Sequence, residues 1–205
     1  MAGTMPHAIF VETDVDGRGL VGAYAAELPG CAVFATGDDE AAGAMPMRVS
    51  RFTAWLRDNG ETMPAFVGDN WYEVERAAAT EADGNRRRAS FTLDELPPSD
   101  EEFATWMRWL ELAREELADA LDAGDPTRAA DQLDAIERQD VTFVRDLGGQ
   151  APELSPDPID RLYAAREALT DALEAAGPMQ DGVRRILRLA IADDLRAADA
   201  LRAAA

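Results

Sequence analysis

The sequence predicts an α+β protein in two parts: a small antiparallel β-sheet with one helix, followed by an all-α four-helix bundle. Three observations predict it. Short apolar runs separated by turn residues fill positions 7–37, a charged, proline-bearing stretch occupies 81–98, and helical spacing takes over beyond Ser99. The expected organisation is a first domain at 5–80, a linker at 81–98 and a second domain at 99–205.

In the first domain the apolar runs are Ala8 to Val11, Leu20 to Ala26 and Cys31 to Ala35, divided by DVDGRG and LPG. Those breaks are turn chemistry: glycine takes positive φ freely and proline presets its own φ. Three short antiparallel strands are the reading. Met45, Val49, Phe52 and Leu56 then recur four, three and four residues apart, which is one face of a helix. Asp38 or Asp39 is its expected N-cap and Gly60 its stop, and Pro46 is expected to kink it or begin its regular part. Trp71 to Ala79 alternates weakly and reads as a fourth strand.

The second domain opens with Ser99 and Glu102, an S-x-x-E capping box. Phe103, Trp106, Met107, Leu110, Leu117 and Leu121 mark one apolar face, and Gly124 ends the helix. Asp125-Pro126 restarts a helix that runs to Gly148, with Ala129, Leu133, Ile136, Phe143, Val144 and Leu147 inward. A third helix follows the turn APELSPDP, from Ile159 to Ala176, and Gly177-Pro178 breaks it. A fourth extends from Asp181 to Leu201. Four helices of similar length, each apolar on one side, predict a bundle.

Composition narrows the function. There are 20 Arg, no Lys and 40 acids, for a net charge of −20, and the acids outnumber Arg by two to one on each side of Pro98. Such a surface repels phosphate backbones and anionic membranes, which argues against nucleic acid as a partner. The local Arg groups, Arg86-Arg87-Arg88 and Arg184, Arg185 and Arg188, come without an aromatic stacking platform. Coding bias and a saline habitat both fit this composition. No stretch reaches the roughly 20 apolar residues of a membrane span, and MAGTMPHAIFVETD lacks the pattern of a secretory signal. The expected location is the cytoplasm. Cys31 is the only cysteine, so an intramolecular disulfide and a cysteine-based zinc ribbon are both excluded.

The segment AELPGCAVFATGDDEAAGAMPMRVSRFTAWLRDNGE resembles the HicB antitoxin-type domain, over about residues 7 to 76. The resemblance implies a partial ribonuclease-H-like sheet that binds a partner and lacks enzymatic activity. The segments FTLDELPPSDEEFATWMRWLELAREELADAL, LDAIERQDVTFVRDLGG and VRRILRLAIADDLRAADAL are similar to the DinB/YfiT-type four-helix bundle, over about residues 91 to 203. Metal-binding members of that family use one histidine on the second helix and an H-x-x-x-H pair on the fourth. The corresponding positions here are Ala135, Asp193 and Ala197, and no histidine follows His7. The resemblance therefore implies a bundle without its family's metal site, and no cofactor is expected.

Other chemistry finds little support in the residues. Asp140, Asp193 and Asp194 are possible cavity acids, and oxygen ligands suit magnesium or calcium, but no repeated E-x-x-H pattern accompanies them. Glu12 to Gly17 imitates the opening of an EF-hand loop, yet its twelfth position is Ala23 and its neighbours are strands, so a polar hairpin turn is expected. Any nucleophile–histidine pair must use His7, and a lone Cys31 on a strand reads as a small core residue. Trp106 and Trp109, three residues apart, read as core and dimer contacts.

Three functions compete at this point. The first is a non-catalytic binding protein, homodimeric through its bundle helices. The second is a thiol-dependent transferase or isomerase, implied by the bundle family, that uses Asp140 and Asp193 in a cleft. The third is a HicB-like antitoxin or regulator that binds a small basic protein.

Overall fold

The computed structural model describes residues 7–63, 71–82, 85–153 and 155–203. The chain divides into two compact units, Met1–Leu96 and Pro97–Ala205. It is an α+β protein.

The first unit contains strands β1 (His7–Thr13), β2 (Val21–Ala25) and β3 (Ala32–Ala35), helix α1 (Asp38–Asp58), and strands β4 (Trp71–Ala78), β5 (Thr80–Ala82) and β6 (Asn85–Arg87). Its four-stranded sheet has the order β3-β2-β1-β4. The β1/β2 and β2/β3 pairs are antiparallel, but β4 runs parallel to β1, so the sheet is mixed rather than antiparallel as expected. The reason is connectivity. β3 and β1 point the same way, and α1 carries the chain back before β4 begins, as a crossover helix does between parallel strands. The register between β1 and β4 shifts at Ile9/Phe10, leaving Val74 as the extra residue of a bulge.

Helix α1 buries Ala41, Met45, Val49, Phe52, Thr53 and Leu56, the predicted face with two further residues. Its N-cap is Gly37, not Asp38 or Asp39; those acids and Glu40 lie in the first turn, where they complement the helix dipole. Pro46 neither starts nor ends the helix, which is assigned unbroken through it. Gly60 takes φ 86°, and the Glu61 N–H donates to Leu56 O, closing the C-terminus.

Residues 85–96, within the expected linker, belong to the first unit. Phe91 stacks on Phe10 with ring centroids 4.7 Å apart. Buried Glu12 accepts the Ala89 N–H at 2.6 Å, the Tyr24 hydroxyl at 2.8 Å and the Arg88 Nε–H at 3.1 Å. One carboxylate thus ties this segment to β1 and β2. β6 pairs antiparallel with β5, but the isolated apolar residues beyond it give no periodic signal, because 88–94 is tied to the sheet by side chains and not by a ladder.

The second unit contains α2 (Asp100–Ala123), α3 (Ala130–Asp146), α4 (Pro158–Ala176) and α5 (Val183–Ala203). The Ser99 capping box is present: Ser99 Oγ accepts from the Glu102 N–H at 3.2 Å, and Glu102 Oε2 accepts from the Ser99 N–H at 2.8 Å. The Asp157 carboxylate caps α4. Helix α2 packs on α5, and α3 packs on both α4 and α5, whereas the backbones of α2 and α4 scarcely approach one another. Helix α5 is the most enclosed of these four helices, buried continuously from Ile186 to Leu195. Among the described residues, no helix is long and apolar enough to cross a membrane.

Candidate functional site

The interior of the helical unit holds charge. Asp140 on α3, Arg166 on α4 and Asp194 on α5 are all buried. Arg166 Nη1 donates to Asp140 Oδ2 at 3.0 Å, and Arg166 Nη2 contacts Asp194 Oδ1. Asp193, 7% exposed, accepts from Gln139 Nε2 at 2.8 Å. Arg114 on α2 donates through Nη1 to Thr170 Oγ1, which in turn donates to the Arg166 carbonyl at 3.1 Å. Two guanidinium groups and two carboxylates thus form a charge-balanced cluster drawn from all four helices.

Burial sets the ionisation of this network. Loss of water pushes the Asp140 carboxyl up from its ordinary range, while Arg166 and Arg114 pull it back. The same burial draws Arg166 and Arg114 down, and Asp140 opposes it in each case. Asp140, Arg166 and Asp194 hold one another in the interior, because a lone buried ion costs several kcal/mol (about 3–5 when one partner of a buried pair is removed).

A cleft of about 290 Å³ lies beside the network. Leu117 and Leu121 of α2 face Leu162 and Tyr163 of α4 across it, with Ala118 between them. Arg114 and Arg166 contribute its charged wall and Glu167 its acidic one. The cleft follows from the packing: α2 and α4 are each held by other helices and do not close on one another.

The predicted site residues fall into two groups. Asp140 and Asp194 meet on Arg166, and Asp193 is turned to Gln139, so none of the three lines the cleft. Ala135 is exposed on α3 while Ala197 is buried on α5, so these two positions do not line one interior site with Asp193. The inward residues of that part of α3 are Ile136 and Asp140. The residues present do not suit a histidine-bound metal: no imidazole exists in this unit, and the central acids already engage a guanidinium. Among the described residues, no group of three or more His, Cys, Asp or Glu is placed to hold a metal ion.

The remaining candidates have structural neighbours. Asp16 accepts backbone N–H groups from Arg18 at 2.8 Å and Leu20 at 3.1 Å, and Asp14 accepts from Gly19 at 3.0 Å. Slight burial raises the Asp16 carboxyl, but these amide bonds outweigh it and leave it below its ordinary range. The Glu12–Gly17 segment is therefore a turn braced by its own acids. Cys31 is buried, which pushes its thiol up to about 12 and makes it a poor nucleophile. The His7 ring packs against Trp71 at 4.7 Å. Arg184 lies over the Trp106 ring at 4.6 Å and Arg185 over Phe143 at 5.7 Å, while Arg188 is buried. Trp109 is buried too. Arg88 binds Glu12, and the side chains of Arg86 and Arg87 lie outside the described residues.

Arg166 and Arg114 were not singled out from the sequence, although a signal existed. Arg166 falls four residues after Leu162 and three before Leu169, and Arg114 four after Leu110 and three before Leu117. Both are charges on an apolar stripe, as is Asp140 between Ile136 and Phe143. Opposite charges on the inner stripes of different helices mark a buried ion network.

Of the protein-family models, curated proteins and solved structures compared with this chain, none matches it.

Proposed function

We propose that this chain is a non-catalytic binding protein, in which a HicB-like sheet module precedes a DinB-like four-helix bundle that works without a metal. The observation that carries this reading is the position of Arg166 between Asp140 and Asp194. A guanidinium there supplies, from the protein itself, the positive charge that two interior carboxylates require. The acids are consequently committed to structure. The alternative of a thiol-dependent transferase or isomerase calls for Asp140 and Asp193 in contact with substrate, and the cleft is lined by neither. In this reading the protein is a homodimer through its bundle helices, and a small basic protein is the partner that its net charge of −20 favours.

Metal analysis of the purified full chain tests the proposal. After incubation with zinc, nickel, magnesium and calcium followed by desalting, elemental analysis is expected to find far less than one ion per chain. Stoichiometric retention of any of them overturns the reading, as does turnover of a thiol-conjugation substrate that is lost on Asp140→Asn.

A further inference from the structure

We propose that the cleft between α2 and α4 binds a small monocarboxylate with an apolar tail, its carboxylate held by Arg114; this rests on reading the chain as a binding protein and names the ligand class. Three features of the cleft point to that chemistry.

The first is an unsatisfied donor. Arg114 lines the cleft and donates through Nη1 only to the neutral Thr170 hydroxyl, while its Nε and Nη2 have no hydrogen-bond acceptor. Leaving a buried charged donor unmade is costly, and a carboxylate is the acceptor that satisfies two guanidinium N–H groups at once.

The second is selectivity for one negative charge. Arg166, the other cation at the cleft, is already shared between Asp140 and Asp194. Glu167 also lines the cleft, and the chain carries a net charge of −20. A phosphate or dicarboxylate brings a second charge that meets Glu167 and no further unshared cation, whereas a monocarboxylate adds one charge opposite Arg114, which Asp140 and Glu111 reach without a hydrogen bond.

The third is size and polarity. Leu117, Leu121, Leu162 and the ring of Tyr163 form an apolar wall beside Arg114. A volume of 290 Å³ corresponds to about ten water-sized units at ~30 Å³ each. Octanoate and phenylacetate each contain ten non-hydrogen atoms, about the size the cleft admits, and they represent aliphatic and aromatic sources of the same chemistry.

Calorimetric titration of the full chain with octanoate, phenylacetate and their uncharged amides tests the assignment. At least one acid is expected to bind saturably and more than about tenfold tighter than its amide, as charge-assisted hydrogen bonds require. Arg114→Met should abolish that preference while leaving residual binding of the tail. Leu121→Trp, about two helical turns from Arg114, fills the apolar part of the cleft and should remove acid and amide binding alike. Equal affinity for acid and amide overturns the assignment, as does the absence of saturable binding for both acids. Chemical conversion of a bound acid, read by NMR of the recovered ligand, overturns instead the non-catalytic reading and leaves the binding assignment standing.

Discussion

Asp140 and Arg166, on neighbouring helices, are joined by a hydrogen bond of 3.0 Å in the interior of the helical unit, and the same guanidinium also contacts Asp194. Arg166→Met removes the shared cation and leaves two carboxylates buried. The expected cost is about 3–5 kcal/mol, the range for breaking a buried ion pair. Replacing the three residues together, with Asp140→Leu, Arg166→Met and Asp194→Leu, should recover part of that stability, because neither carboxylate is then buried without a cation and Arg114 keeps Thr170 and the nearby Glu111. Urea unfolding of the single and triple variants measures both effects, and a triple variant no better than the single one contradicts the account.

The Cys31 thiol is held protonated by burial, with its pKa pushed up to about 12 from 9.0. In the unfolded chain it ionises from about pH 9, so the unfolded state loses a proton that the folded state keeps. Stability should therefore fall as pH rises between about 9 and 12, by up to about 1.4 kcal/mol per pH unit from this group. Cys31→Ala lacks this contribution and should show a shallower alkaline decline in denaturation curves. At pH 8 the native thiol should react with a thiol reagent far more slowly than the denatured chain does.

The Ser99 and Glu102 side chains bond reciprocally to one another's backbone N–H at the start of α2. The Ser99 amide bond outweighs partial burial and holds the Glu102 carboxyl below its ordinary 4.5. Its contribution is present above that value and is lost as pH falls through the lowered folded pKa. Ser99→Ala is expected to cost about 1 kcal/mol at neutral pH, and Glu102→Gln should weaken the acid dependence of stability. Denaturation between pH 3 and 7 reads both.

Phe91 and Arg88 attach the 88–94 segment to the sheet, through Phe10 and Glu12 respectively. Phe91→Ala should cost about 3–5 kcal/mol as a buried aromatic truncation. Arg88→Met should cost a similar amount because Glu12 is left charged in the interior. Gly22→Ala is expected to disturb the same network: a Cβ there meets the Tyr24 Cε2 and Oη at 3.0 Å, and Tyr24 donates to Glu12. Hydrogen exchange should show the loss of protection at the β1 and β2 amides; a variant with unchanged protection contradicts the role given to that residue.

Local signals were readable in the chain itself. The spacing of Met45, Val49, Phe52 and Leu56, the Ser99–Glu102 box and the breaks at Gly60, Gly124 and Gly177 each act within a few residues, so they define helices without knowledge of their neighbours. The lack of any imidazole in the helical half was equally a property of the sequence alone. Tertiary structure decided what depends on distant partners: the parallel direction of β4, the attachment of Phe91 to Phe10, and the choice of Arg166 by Asp140 and Asp194. Helical periodicity shows that a charge lies on an inner stripe, but which opposite charge meets it depends on how helices far apart in sequence pack together.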